Sequence, residues 1–489
     1  MAGLTAPSEF KRGLGLLDST MIVIGSMIGS GIFIVSADIG RAVGAPGYLL
    51  LVWVITGIMT IFAALSYGEL AGMMPHVGGQ YAYLREAYNP FIAFLYGWTL
   101  FLVIQTGTIA AVAVAFAKFT GVLLPWFSEQ HILLSLGKFH VSAAQLLAIA
   151  SVIVLTSVNV RGLREGKIVQ NIFTVTKIAA LLGFILLALF VGRNASALAA
   201  NAENFWNATW TQIAEGKISS ITPLSGLMLC SAVGVAMVGS LFSADAWNNI
   251  TFTAGEVDNP KKNIPLSLAW GTGIVIFIYL LANIGYLLVL PLTGFPAATD
   301  AAGRGIQFAV SDRVGTAAAS VIFGDRAAVI MAVFIMVSTF GCNNGLILAG
   351  ARVYYAMAKD RLFFKKAGVL NSKSVPGAAL IVQCVWTCLL CLSGTYGDLL
   401  DYVVFAVLLF YILTIVGIFV LRKKQPSAER PYKAMGYPVI PALYIILATA
   451  ICIDLLIFKP NYTWPGLMIV VLGIPVYFIW KKIGCRTNA

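Results

Sequence analysis

Gly25-Ser26-Met27-Ile28-Gly29-Ser30-Gly31-Ile32-Phe33 interrupts an apolar stretch that runs from about Leu16 to Val43. The stretch is long enough to cross a bilayer and reads as a first membrane span. Gly25, Gly29 and Gly31 make poor helix, each about 1 kcal/mol worse than alanine. A bilayer core has no water for freed backbone groups, so a broken helix is tolerated only where it lines a protein cavity. There the freed amides and carbonyls can bind something polar, and a break at mid-bilayer is the best sequence pointer to a small-molecule site.

The rest of the chain agrees with a lipid solvent. Its 489 residues are 59% hydrophobic and only 11% charged, with mean hydropathy +0.89, which excludes an ordinary soluble domain. Twelve spans are predicted, at about 16–43, 47–74, 90–119, 142–160, 168–191, 224–253, 265–291, 326–357, 376–394, 397–421, 438–458 and 464–480. The expected fold is an all-α membrane protein forming one domain over 1–489.

The net charge of +12 describes topology. Of 32 Lys and Arg, all but Lys177 lie at or beyond span ends, and more than twice as many fall on the N-terminal side of the membrane as on the other. That bias puts both termini in the cytoplasm of a cell membrane. The basic character then serves contact with anionic lipid, and no nucleic-acid partner is expected. The first apolar segment is too long for a cleavable signal and is expected to be retained. The seven cysteines lie in spans or in the tail, so no structural disulfide is expected. Cys384, Cys388 and Cys391 share a helix face, which reads as packing. His76, His131 and His140 are scattered. No metal and no cofactor is expected.

A second interruption, Leu241-Phe242-Ser243-Ala244-Asp245-Ala246-Trp247-Asn248-Asn249, falls in the sixth span. Asp and Asn are costly in a bilayer unless they face a cavity. With 16–191 as one five-helix half and 224–421 as the other, the two breaks occupy corresponding positions. That is the pattern of two inverted repeats, with 438–480 supplying two additional helices. Gly78 to Tyr88 reads as a short interfacial helix, either a gate brace or a connector.

Several spaced motifs carry a family likeness. Gly29-Ser30-Gly31-Ile32-Phe33 resembles the GSGIF motif of the amino acid–polyamine–organocation superfamily, and Gly78-Gly79-Gln80-Tyr81-Ala82-Tyr83 resembles its GG-x-Y-x-Y loop. Trp247-Asn248 with Gly255-Glu256-Val257 and Asn259-Pro260 resembles the segment after its sixth helix. Arg430-Pro431-Tyr432-Lys433 before Pro438 resembles the loop before its eleventh. The match is collinear over nearly the whole chain and nearest to the L-type amino acid transporter branch. The resemblance implies a LeuT-like five-plus-five repeat and secondary transport of amino acids, by sodium-independent exchange or by proton coupling. Animal members of this branch bond a single-pass glycoprotein through a Cys in the loop after helix three. The corresponding loop here, 120–141, has no Cys, so no covalent glycoprotein subunit is expected.

An α-amino acid carries one carboxylate and one ammonium. Free N–H groups of Ser30, Gly31 and Ile32, at the positive end of the outer half-helix, suit the carboxylate. Unwound carbonyls near Met27 and Phe242 suit the ammonium. Met27, Ser30, Gly31, Ile32 and Phe242 match family positions with these roles, with Phe242 also at the place of an aromatic gate. The bland reading is that the glycines permit close helix packing and that Phe242 packs. Trp247 is expected beside the site.

Lys177, in mid-span, costs roughly 2.5–3.5 kcal/mol on insertion scales. By resemblance it takes the place of a sodium ion and bridges the first helix to helix eight, where Ser338, Thr339 and Asn344 offer oxygens. A proton carrier and a snorkelling side chain are the other readings. Asp245 matches the branch that exchanges dibasic for neutral amino acids. It either pairs with a cationic substrate side chain or caps the inner half-helix. Glu69 is expected to pair with a cytoplasmic base. Gln105, Asn343 and Tyr411 are polar residues of spans three, eight and ten whose roles the sequence leaves unassigned. No nucleophile–base pair, filter ring or signalling domain is readable, which disfavours an enzyme, a channel and a sensor.

Overall fold

The computed structural model describes residues 9–136, 139–214, 217–393 and 396–486. The ends of the expected single domain, 1–8 and 487–489, and the outer Lys138 lie outside the described residues. The described residues are mostly helical. In order it forms α1 (Leu16–Met27), α2 (Ser36–Val43), α3 (Pro46–Met73), α4 (Gln80–Ala87), α5 (Pro90–Thr99), α6 (Gln105–Leu123), α7 (Ala143–Arg161), α8 (Leu163–Phe190) and α9 (Ala195–Glu203). It continues with α10 (Gly226–Ser243), α11 (Asn249–Phe252), α12 (Pro260–Val289), α13 (Ala301–Arg304), α14 (Val314–Phe323), α15 (Ala327–Lys359), α16 (Gly377–Ser393), α17 (Tyr396–Lys424), α18 (Val439–Phe458) and α19 (Pro460–Arg486). Among the described residues ten helices are long and apolar enough to cross a membrane, and Leu16–Met27 and Gly377–Leu392 are shorter apolar helices. The chain is a multi-pass membrane protein.

Local chemistry sets many helix starts. Pro46, Pro90 and Pro260 begin α3, α5 and α12, where a missing N–H costs nothing and the fixed φ is already helical. Asn89 caps α5 through Ile92 N–H. Ser142 and Gln145 form a capping box on α7. Between α5 and α6 a single turn of π-helix, Leu100–Ile104, keeps the third span continuous but bends its register.

The first span breaks where the glycines stand. Helix α1 ends at Met27, Ile28 is extended (φ −75°, ψ 99°), and only a 3₁₀ turn at Gly31–Phe33 precedes α2. The sixth span stops at Ser243, and Ala246 takes φ 67°, a left-handed backbone unusual for a residue with a Cβ. The two breaks touch. A Cβ added to Gly31 would lie 2.1 Å from Ser243 Oγ, so only glycine admits this approach. Helix α1 packs on α8, α12 and α15, and α10 packs on α2 and α3. Helix α18 packs on α17, and α19 on α5 and α17.

Two buried carboxylates, Glu256 and Glu69, are paired with arginines. Arg352 and Glu256, each 1% exposed, form a bidentate pair at 2.8 and 2.9 Å. Glu69 meets Arg422 at 2.6 Å, Arg430 at 3.3 Å and the Ala434 N–H at 2.7 Å, so its base comes from the loop between α17 and α18 and from α17 itself. Two long connecting segments carry more structure than loops. Residues 120–141 include strand β1 (Ile132–Leu136), antiparallel to β2 (Phe139–Ser142). Residues 192–223 hold α9 and the antiparallel pair β3 (Thr209–Ala214) and β4 (Lys217–Pro223). The β3–β4 hairpin sits over the outer end of α2, where Thr209 closes on Gly44.

Candidate functional site

The break in the first span is held by donors from three other helices. Lys177 on α8 is 2% exposed. Its ammonium donates to Gly25 O at 2.6 Å and Ile28 O at 2.7 Å, and Ser338 O stands at 3.5 Å. Ser338 Oγ on α15 lies 2.9 Å from Gly29 O and 3.2 Å from Ile28 O, and Cys342 Sγ donates to Ser26 O. The Tyr279 hydroxyl on α12 is 3.0 Å from Met27 O and 3.2 Å from Ser243 O, which ties the first break to the sixth span. A buried ammonium is costly unless its donors are met, and here the carbonyls that the helix break frees meet them.

Lys177 therefore reaches the first break and the Ser338 carbonyl. It does not reach Thr339 or Asn344. Thr339 Oγ1 donates back to Ile335 O, as a hydroxyl does inside a helix. Asn344 is occupied by Gly166 O, Gln170 and Asn159.

Two cavities lie on either side of the second break and share Asp245, Val407 and Tyr411. The first encloses about 380 Å³ between α3, α10 and α17, with Phe242, Trp247 and Tyr444 in its wall. It is mostly apolar. Trp247 packs edge-on to Tyr67 at 4.8 Å, and its ring lies 5.1 Å from Tyr411. The second encloses about 330 Å³ and is polar, lined by Gln80, Tyr96, Gln105, Thr108, Asn248 and Asn249 among others. Asp245 Oδ1 accepts the Tyr411 hydroxyl at 2.6 Å. The buried Tyr96 hydroxyl and the Asn249 amide nitrogen have no hydrogen-bond partner among the described residues, although buried polar groups are nearly always satisfied. Gln80 bridges Asn248 at 3.0 Å and Thr414 at 3.0 Å, which joins α4 to α17 and to the second break.

The expected site residues thus separate into groups. Phe242 and Asp245 line cavities. Lys177 sits behind the first break, against a small apolar void that also touches Phe33 and Ser338. Met27, Ser30, Gly31 and Ile32 are buried at the contact of the two breaks and line neither cavity. The hydrogen bonds of the outer turn begin with Phe33 N–H on Ser30 O and Ile34 N–H on Gly31 O. Phe242 O accepts the Asp245 N–H at 3.2 Å.

Tyr279 and Tyr96 did not stand out in the sequence, whereas Asn249 lies in the second interruption, which did. A tyrosine or asparagine in a span has to hide its polar end, and that is the signal that singles them out. Among the described residues no group of three His, Cys, Asp or Glu could hold a metal ion.

The sequence matches the Amino acid permease family over residues 14–478. It is 28% identical over 480 residues to the b(0,+)-type amino acid transporter 1 of Mus musculus, covering 97% of this chain and 88% of that protein. It is 29% identical over 479 residues to the Large neutral amino acids transporter small subunit 2 of Mus musculus, covering 96% and 81%.

Proposed function

Because the chain belongs to the amino acid permease family, we propose that it carries L-amino acids across a cell membrane by sodium-independent exchange. It is a transporter and not an enzyme. The carrying observation is Lys177: a protein ammonium occupies Gly25 O and Ile28 O in the broken first helix, which leaves those two carbonyls no role as ligands of a sodium ion. The working architecture is twelve spans, a LeuT-like pair of inverted five-helix repeats over 16–191 and 224–421, and two added helices over 438–480. Corresponding breaks in the first and sixth spans support it. Both termini face the cytoplasm, as the Lys and Arg bias suggests. No disulfide-linked glycoprotein subunit is needed, since residues 120–141 contain no Cys.

The substrate binds at the two breaks. Its carboxylate takes the amides of Ser30, Gly31 and Ile32, its ammonium the carbonyls of Met27 and Phe242, and Phe242 gates it. Its side chain turns toward Asp245. A carboxylate there, beside the unpaired Tyr96 and Asn249 groups, suits cationic as well as neutral polar side chains. Both backbone sets lie in the contact between the breaks, so substrate enters when α1–α2 and α10–α11 separate. A proton-coupled mode is the alternative, favoured by the carboxylate of Asp245 standing between both cavities.

The test is uptake of labelled alanine and labelled arginine into sodium-free proteoliposomes. Exchange predicts strong uptake only into vesicles loaded with unlabelled amino acid. Asp245→Gly is expected to lose at least tenfold in arginine uptake, about 1.4 kcal/mol, and to keep alanine uptake. Accumulation in unloaded vesicles under an inward proton gradient overturns the exchange reading.

A further inference from the structure

A further hollow lies far from the breaks, where the N-terminal arm meets the junction of α7 and α8. It is an open hollow of about 830 Å³ lined by Lys11, Arg12, Arg161, Arg164, Lys167 and Lys373, with Glu165 as its one carboxylate. Lys167 is engaged by Asp18 at 3.0 Å and by Gly13 O at 2.9 Å. The other five basic side chains form no ion pair with any described residue, and all five residues are exposed. Topology alone asks for positive charge on this side of the membrane. It does not ask that three segments distant in sequence converge their charges on one concavity.

The faces beyond the cavity are apolar. On α8, Arg164 shares a helical face with Ile168, Ile172 and Val175, which are 45%, 59% and 54% exposed. On α7, Arg161 shares a face with Ser157 and Val154, and Val154 is 53% exposed. Arg164 therefore ends an apolar stripe that faces outward, while on α7 the exposed Ser157 separates Arg161 from Val154, and both faces start at one basic cavity.

We propose that this cavity is a binding site for the phosphate headgroup of an anionic phospholipid, whose acyl chains lie along the exposed faces of α7 and α8. The occupant is a lipid rather than a free phosphate because the apolar stripe of α8 continues from Arg164. Arg161 and Arg164 hold the phosphate from the helix ends, Lys373 from the loop before α16, and Lys11 and Arg12 from the arm. The bound lipid pins the arm that leads into α1. Gly13 and Leu14, just beyond that arm, donate their N–H groups to Glu256 O at 2.9 and 3.0 Å. Headgroup binding thus favours the form in which the inner end of the first span is docked.

Native mass spectrometry of the full-length protein, titrated with phosphatidylglycerol or phosphatidylcholine, tests this without recourse to transport. A failure here therefore leaves the exchange reading standing. The Arg161→Gln/Arg164→Gln/Lys373→Gln variant is expected to lose phosphatidylglycerol affinity on the order of a hundredfold, each basic residue contributing about fivefold near an anionic surface. Arg161→Lys/Arg164→Lys is expected to retain it. So is Lys423→Gln/Lys481→Gln/Lys482→Gln, which removes equal charge elsewhere on the same side. An equal loss in both triple variants, or phosphatidylcholine held as tightly as phosphatidylglycerol, overturns the site. Displacement of the lipid by an excess of inorganic phosphate overturns the assignment to lipid.

Discussion

Lys177 is the residue on which the site's backbone depends. Its ammonium is the donor for Gly25 O and Ile28 O, two carbonyls that the helix can no longer satisfy. Lys177→Met keeps the length of the side chain and removes the charge. It leaves Gly25 O without its donor, at about 1–3 kcal/mol, while Ile28 O keeps the Ser338 hydroxyl. The expected outcome is a fall of at least tenfold in exchange, about 1.4 kcal/mol, together with a lower thermal midpoint in detergent. Exchange at the wild-type rate in Lys177→Met refutes the role of the ammonium in holding the break. A fixed tie also predicts that exchange by the unaltered protein responds little to an imposed proton gradient, whereas a proton carrier makes uptake follow it. The signal for this residue was plain in the sequence, because one lysine in mid-span has no cheap explanation. Its partners were less plain. Ser338, Thr339 and Asn344 all offered oxygens on the next helix over, and only packing decided that Ser338 faces the break.

At the scale of elements, the two broken spans were legible and their contact was not. Glycines in an apolar run, and an Asp with two Asn in another, depart from what lipid tolerates. Such departures show in composition alone. That Gly31 rests on Ser243, and that Tyr279 reaches both breaks, depends on how helices distant in sequence cross, and no local pattern encodes it. The same holds for the π-turn at Leu100–Ile104, whose residues are ordinary helix formers, and for the outer hairpin β3–β4, whose alternation is short. Ala246 is a local departure with a local consequence. Its φ of 67° costs an L-residue roughly 1–2 kcal/mol relative to glycine. Ala246→Gly removes that strain and gives back part of the gain as added freedom in the unfolded chain. The net expectation is a stabilisation of up to about 1 kcal/mol, seen as a raised thermal midpoint. Ala246→Val is expected to lower it. A midpoint that falls with glycine contradicts a strained second break.

On the scale of the whole molecule, the polar ties fall into two sets at opposite ends of the broken spans. At one end, the outer end in the proposed topology, Arg41 on α2 donates to Gln307 O at 2.6 Å and Asp312 at 2.7 Å, and it also pairs with Asp38. At the inner end Gln80 joins Asn248 and Thr414, while Glu256 holds Arg352 and, through its carbonyl, Gly13 and Leu14. Alternating access requires that either set can open while the other stays shut, so the two must be separable. Arg41→Gln weakens the outer set alone. Arg41 is partly exposed, so the loss is about 1 kcal/mol, a shift of roughly fivefold toward the outward-open form. Hydrogen exchange by mass spectrometry is expected to rise in residues 36–43 and 300–313 and to stay unchanged in residues 78–88. Gln80→Ala is expected to give the mirror pattern, with faster exchange at 78–88 and 249–256 and none at the outer segments. The arm at residues 10–13 ought to follow the inner set, since it is carried by Glu256. If either substitution loosens both ends together, the ties belong to one rigid body, and a rocking-bundle cycle built on these two breaks fails.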